Sequence, residues 1–133
     1  MGNFKLLDAW KKSMQMVVQV YRASQCFPKD EMYGLTSQLR RAAVSVPSNI
    51  AEGQGRLSRG EFQQFLGNAK GSLQEVETQI LIARELGYID ESQVTDLMST
   101  VHETGRILNG LLFAIRSGKQ TPKAENQQPA TDN

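Results

Sequence analysis

Histidine and cysteine occur once each in these 133 residues, and the scarcity of each removes a class of chemistry. With His102 alone, neither a multi-histidine metal site nor a paired-histidine diiron centre can be built. With Cys26 alone there is no internal disulfide, and a reducing compartment is the natural expectation. Nothing in the sequence around Cys26 activates the thiol, so Cys26 with His102 does not read as a nucleophilic pair. His102, beside Glu103 and Arg106, reads as a partly exposed helical histidine. The Gly-x-Gly of Gly53 and Gly55 follows a helical pattern instead of a strand, which sets it apart from phosphate-binding loops. No stretch approaches the roughly 18 apolar residues of a membrane span, and the amino-terminal segment lacks the apolar run of a secretory signal. A cytoplasmic location is therefore expected. No strand-type alternation and no internal repeat is evident. No cofactor, metal or small-molecule substrate is indicated, and an enzyme is not expected.

Fifteen basic residues stand against fourteen acidic ones, a net charge of +1, so no global field recruits nucleic acid or membrane. The distribution is less even. Residues 1–56 carry eight Lys/Arg and four Asp/Glu, a balance of +4, whereas residues 57–118 carry five and eight, a balance of −3. Neighbouring helices in a bundle often divide charge in this way so that they attract one another.

Four helices follow from the apolar spacing. Leu7, Trp10, Met14, Val17 and Tyr21 recur at steps of three and four, widened by Leu6 and Val18, and predict a first helix from about Phe4 to Ser24. Pro28 ends it, because proline restricts the preceding residue and cannot donate the next hydrogen bond. A second helix starts near Gly34 and carries Leu35, Leu39, Ala42, Ala43, Val46 and Ile50. Pro47 lies inside that pattern, where a proline costs about 3 kcal/mol in a regular helix, so a kink or break is expected there. Gly53 and Gly55 then end the segment.

Ser58 with Glu61, flanked by Leu57 and Phe62, has the form of a capping box with a hydrophobic staple and opens a third helix. Its stripe is Phe62, Phe65, Ala69, Leu73, Val76, Ile80 and Ala83, and Gly87 closes it. Gly67 and Gly71, four apart, read as places of close helix approach, with a ligand-facing gap as the other possibility. Asp90 with Gln93, flanked by Ile89 and Val94, repeats the cap and opens a fourth helix bearing Val94, Leu97, Val101, Leu108, Leu111, Leu112 and Ile115, which ends near Gly118. The expected architecture is thus all-α: an antiparallel up-and-down four-helix bundle over residues 1–118 with short connections. Residues 119–133, polar and proline-punctuated, read as a disordered tail.

The least ordinary stretch lies on the second helix. Gln38, Arg41, Ser45, Asn49 and Glu52 recur at three- and four-residue steps and form a polar stripe beside the apolar one. Such a stripe can be solvated, can make a hydrogen-bonded seam with another helix or subunit, or can hold a ligand. Short polar side chains next to Ala42 and Ala43 favour the seam. Glu75 and Glu77 are the acidic partners that Arg40 or Arg41 could find on the third helix.

These residues resemble the four-helix-bundle family encoded by intervening sequences inside bacterial 23S rRNA genes. The matching elements are Phe27-Pro28 with Glu31, Tyr33-Gly34-Leu35, Gln38 with Arg40-Arg41-Ala42, Ser45-Val46-Pro47, Asn49-Ile50-Ala51-Glu52-Gly53, Arg56, Phe62, Phe65, and Gly71-Ser72 with Glu75. The resemblance runs from Leu7 to about Ile115. It implies a four-helix bundle, and related bundle proteins form homopentameric rings. A distant branch assists the reverse transcriptase of diversity-generating retroelements and contacts nucleic acid through a basic surface. The resemblance supplies no catalytic residue. Two functions follow as expectations. One is a non-enzymatic homo-oligomeric module, with Gln38, Arg41, Ser45, Asn49, Glu52 and Glu75 as seam or subunit interface. The other is an RNA- or DNA-binding accessory protein that uses Lys11, Lys12, Arg40, Arg41 and Arg56, repeated around a ring.

Overall fold

A computed structural model describes residues 3–118, as four helices: α1 (Asn3–Ser24), α2 (Leu35–Gln54), α3 (Arg59–Glu85) and α4 (Glu91–Arg116). A single 3₁₀ turn, Lys29–Glu31, lies between α1 and α2, and there is no strand among the described residues. The tail expected from Lys119 to Asn133 lies outside them. Helix α1 packs on α2 and α4, and α3 packs on the same two, so the four close around one apolar core. Cross-helix contacts give the register. Gly53 lies against Phe62 while Ser45 bonds Ser72, so α3 retraces α2. Gly105 approaches Leu73, His102 meets Glu77, and Arg84 lies 4.0 Å from Glu91, so α4 retraces α3.

The helix ends are set by side chains close in sequence. Gly34 has no side chain to cap α2, and the Oε1 of Glu31 accepts the Leu35 N–H at 3.0 Å instead. At α4 the whole box forms: Asp90 Oδ1 accepts the Gln93 N–H at 2.8 Å and Gln93 Oε1 accepts the Asp90 N–H at 3.0 Å, with Ile89 and Val94 both buried. At α3 only half of it does. Ser58 Oγ accepts the Glu61 N–H at 3.0 Å, but the return bond is not made, and Leu57 is 75% exposed, so it staples nothing. Gly87, at φ +78°, ends α3 in a Schellman motif, with the Tyr88 N–H on the Ala83 carbonyl and the Gly87 N–H on that of Arg84.

Most of the expected core is observed: the second-helix set from Leu39 to Ile50 and the whole fourth-helix set are buried. Several details differ. Helix α2 passes through Pro47 unbroken to Gln54, and Gly53 lies inside it. Pro47 is itself buried, so its ring offsets part of the lost hydrogen bond by packing. On α3, Leu66 takes the core position expected of Phe65.

The glycines differ too. A side chain at Gly67 or Gly71 would meet nothing within 4 Å, so neither serves helix packing in this chain. Close approach is made instead at Gly53, where a Cβ would sit 3.1 Å from Phe65 Cβ and 3.2 Å from Phe62 Cδ1.

The largest difference concerns α1. Its buried line is Leu6, Ala9, Ser13, Met16, Val20 and Ser24, not the line of larger residues. Two apolar stripes compete on this helix. The one with small members turns inward because Ala9 and Ser13 let α1 approach the bundle closely, and the Ser13 hydroxyl donates to its own helix at the Trp10 carbonyl, 2.8 Å away.

Candidate functional site

The polar stripe of α2 divides in two. Ser45 and Asn49, both half-buried, make a seam within the chain: Ser45 Oγ lies 2.8 Å from Ser72 Oγ, and Asn49 Nδ2 donates to the Ser45 carbonyl at 2.8 Å and to its hydroxyl at 2.9 Å. Gln38, Arg41 and Glu52 are exposed on the outer side. Glu75 is exposed as well, and no ion pair joins Glu75 or Glu77 to Arg40 or Arg41 among the described residues. The reason is that Arg40 is committed elsewhere. Its Nε donates to Ser24 Oγ at 2.7 Å, its Nη2 to the Tyr21 carbonyl at 3.4 Å, and its guanidinium lies 4.7 Å above the Tyr21 ring. Glu77 meets His102 at 3.4 Å. Arg41 and Glu75 keep their charges turned outward.

The five cations considered for nucleic acid do not converge. Arg40 binds the end of α1. Arg56 pairs with Glu52 and stacks 4.8 Å over Phe65 at the α2–α3 turn. Lys11 and Lys12 line a groove of about 480 Å³ between α1 and α4, together with Lys5, Asp8, Glu103 and Arg106. There the Arg106 guanidinium, hydrogen-bonded to Glu103, holds that carboxyl below the usual range, and its own pKa is raised in return. The groove therefore carries four cations of which one is already paired. Among the described residues no three acidic, histidine or cysteine side chains group as a metal site.

A second surface was hidden by the reading of α1. Leu7, Trp10, Met14, Val18 and Tyr21, expected inside, are 37–47% exposed. Positions 7, 10, 14, 18 and 21 step by three and four, so the five side chains form one ridge along the outside of the helix. At these exposures the ridge offers on the order of 400 Å², a patch size at which monomers begin to show functional contacts. The sequence signal was there, since α1 has more large apolar residues than one face can bury, but spacing alone does not say which stripe turns inward.

The sequence matches the family model described as 23S rRNA-intervening sequence protein over residues 5–110. The chain belongs to that family. In fold the chain is similar to a crystal structure of a protein of unknown function from the S23 ribosomal protein family of Bacteroides thetaiotaomicron VPI-5482. The TM-score is 0.76 and the identity 20%, and the match covers 82% of this chain and 98% of that one. No curated protein matches. No helix among the described residues is long and apolar enough to cross a membrane.

Proposed function

We propose that this family member is a non-enzymatic module that acts by assembling with copies of itself in the cytoplasm. The α1 ridge carries the reading. A helix that buries its small residues and leaves Leu7, Trp10, Met14, Val18 and Tyr21 outside is built for two contacts, one within the chain and one beyond it. A homopentameric ring is the assembly size implied by the resemblance to related bundle proteins. The absence of a catalytic role is supported by the dispersal of the reactive side chains: Cys26 reaches the Ala23 and Tyr88 carbonyls, whereas His102 lies on α4 against Glu77. The cytoplasm suits a chain whose lone thiol, Cys26, is free and exposed. Light scattering behind size exclusion at micromolar concentration tests the reading. A multiple of 14.8 kDa is expected, and a clean monomer overturns it.

A second reading, binding of RNA or DNA by the assembled form, is favoured by the α1–α4 groove, where Lys5, Lys11, Lys12 and Arg106 stand together. Repetition around a ring multiplies a modest patch. Affinity for duplex DNA then falls with salt at about −0.9 in the logarithmic slope per phosphate contacted, and Lys11→Gln/Lys12→Gln lowers the slope magnitude by up to about 2 for each subunit in contact with the DNA. An unchanged slope removes these lysines from any such contact.

A further inference from the structure

We infer that the ridge on α1 of one copy seats on the outward face of α3 of the next, so that subunits join head to tail. This rests on the self-assembly proposed above and adds the partner surface.

The α1 ridge is unsuited to meeting itself. Lys11 and Arg22 are exposed on the same helix, and Arg41 is exposed on the neighbouring α2, so a two-fold contact between ridges would bring like charges together. The balance of +4 over residues 1–56 makes the α1–α2 side the positive side of the bundle. The balance of −3 over residues 57–118 makes the α3–α4 side the negative one. Opposite sides of two copies attract; identical sides repel.

The outward face of α3 also has the matching relief. Gly60, Gly67 and Gly71 fall on one line of the helix, seven and four residues apart, and a Cβ at any of them would touch nothing. Gly67 and Gly71, in the helix interior, each lower helix stability by about 1 kcal/mol relative to alanine, and a Cβ at either would gain no contact among the described residues. Thr78 and Ile82 continue the same face, exposed, and Glu75 stands exposed beside it. A face lowered at three glycines, with exposed Gln64 between them and Glu75 beside it, therefore looks outward on α3, while a base-flanked ridge of large side chains looks outward on α1. The ridge supplies about half of the roughly 800 Å² per partner that a stable interface buries, and exposed Val44 on the adjoining helix extends it. Because the two surfaces differ, each copy uses both, and the product is a closed ring or a filament, not a two-fold dimer.

The test uses three full-length chains in light scattering behind size exclusion: wild type, a ridge variant (Trp10→Gln/Met14→Gln) and a floor variant (Gly67→Leu/Gly71→Leu). All substituted positions are exposed, and a Cβ at the two glycines meets nothing within 4 Å, so all three chains are expected to show the same helical circular dichroism. Each variant alone is expected at 14.8 kDa. An equimolar mixture is expected at twice that mass, because the floor variant still offers a ridge and the ridge variant still offers a floor. Trp10 is the only tryptophan, so the floor variant, altered on α3, is expected to show red-shifted Trp10 emission relative to assembled wild type. A monomeric wild type overturns both this inference and the self-assembly reading. An assembled wild type with an assembled floor or ridge variant overturns only the pairing of faces. Two monomeric variants whose mixture stays monomeric overturn the head-to-tail contact in the same way.

Discussion

Glu31 joins three parts of the chain. Its Oε1 takes the first free N–H of α2, at Leu35, and its Oε2 accepts the Tyr88 hydroxyl at 2.8 Å, which ties the α1–α2 turn to the α3–α4 turn. The backbone hydrogen bond from Leu35 and then the Tyr88 hydroxyl hold its carboxyl below the ordinary range, and the same bond pushes the Tyr88 phenol up. A carboxyl with a depressed folded pKa stabilises the fold above its unfolded value, near 4.3, and loses that contribution as the pH falls through the folded value. A phenol with a raised folded pKa stabilises below about 10 and loses that contribution as the pH rises through its folded value. Glu31→Gln is therefore expected to lower Tm at neutral pH, with the deficit narrowing as the pH approaches about 3. A deficit that stays constant with pH in circular dichroism melts would show that the charge is not what Leu35 and Tyr88 bind. Sequence reading reached Glu31 only through the family resemblance, with no role attached. Tyr88 is 57 residues away, beyond any local motif. The glycines carry the same lesson: Gly53, read as a terminator, is the one pressed against Phe62, while Gly67 and Gly71, read as packing positions, stand open. Composition marks a glycine as unusual but says nothing about what faces it.

Helix α2 shows how two magnitudes decide an element. Pro47 removes one hydrogen bond and crowds the preceding turn at a cost of about 3 kcal/mol, yet α2 continues for seven residues beyond it, to Gln54. Alanine there would restore the bond and remove roughly two buried methylenes, worth about 0.8 kcal/mol each. The balance favours the substitution: Pro47→Ala is expected to raise stability by about 1 kcal/mol in urea melts. A loss would mean that the ring's packing outweighs the backbone defect. At the other end of the bundle, Gly87 sits at φ +78°, where a Cβ is strained, and Gly87→Ala is expected to cost about 1 kcal/mol although nothing crowds the position. Helix existence, number and approximate ends were legible because the apolar spacing and the two caps agree. Orientation was less so. On α1 the larger stripe reads as the core, and only the bundle's need for close approach at Ala9 and Ser13 turns the smaller stripe inward.

At the scale of the molecule, the fold was legible and the exposed ridge on α1 was not, for one physical reason: periodicity reports how much apolar surface a helix has, not what covers it. The charge split between the two halves of the chain was read as attraction between neighbouring helices. The same split, carried to the outside of the bundle, makes opposite sides of two copies attract. The proposed head-to-tail contact combines an apolar ridge with flanking opposite charges, and the two components respond differently to ions. Raising sodium chloride shortens the screening length from about 10 Å at 0.1 M to about 3 Å at 1 M, which weakens the charged flanks. Sulfate screens as well but also strengthens apolar burial, because it is excluded from protein surfaces. Dissociation followed by Trp10 emission should therefore shift toward monomer as sodium chloride rises to about 1 M, and shift back when sodium sulfate replaces it at equal ionic strength. A contact held by charge alone would weaken in both salts. One held by the ridge alone would not weaken in chloride, and either pattern would leave one of the two components without a role in assembly.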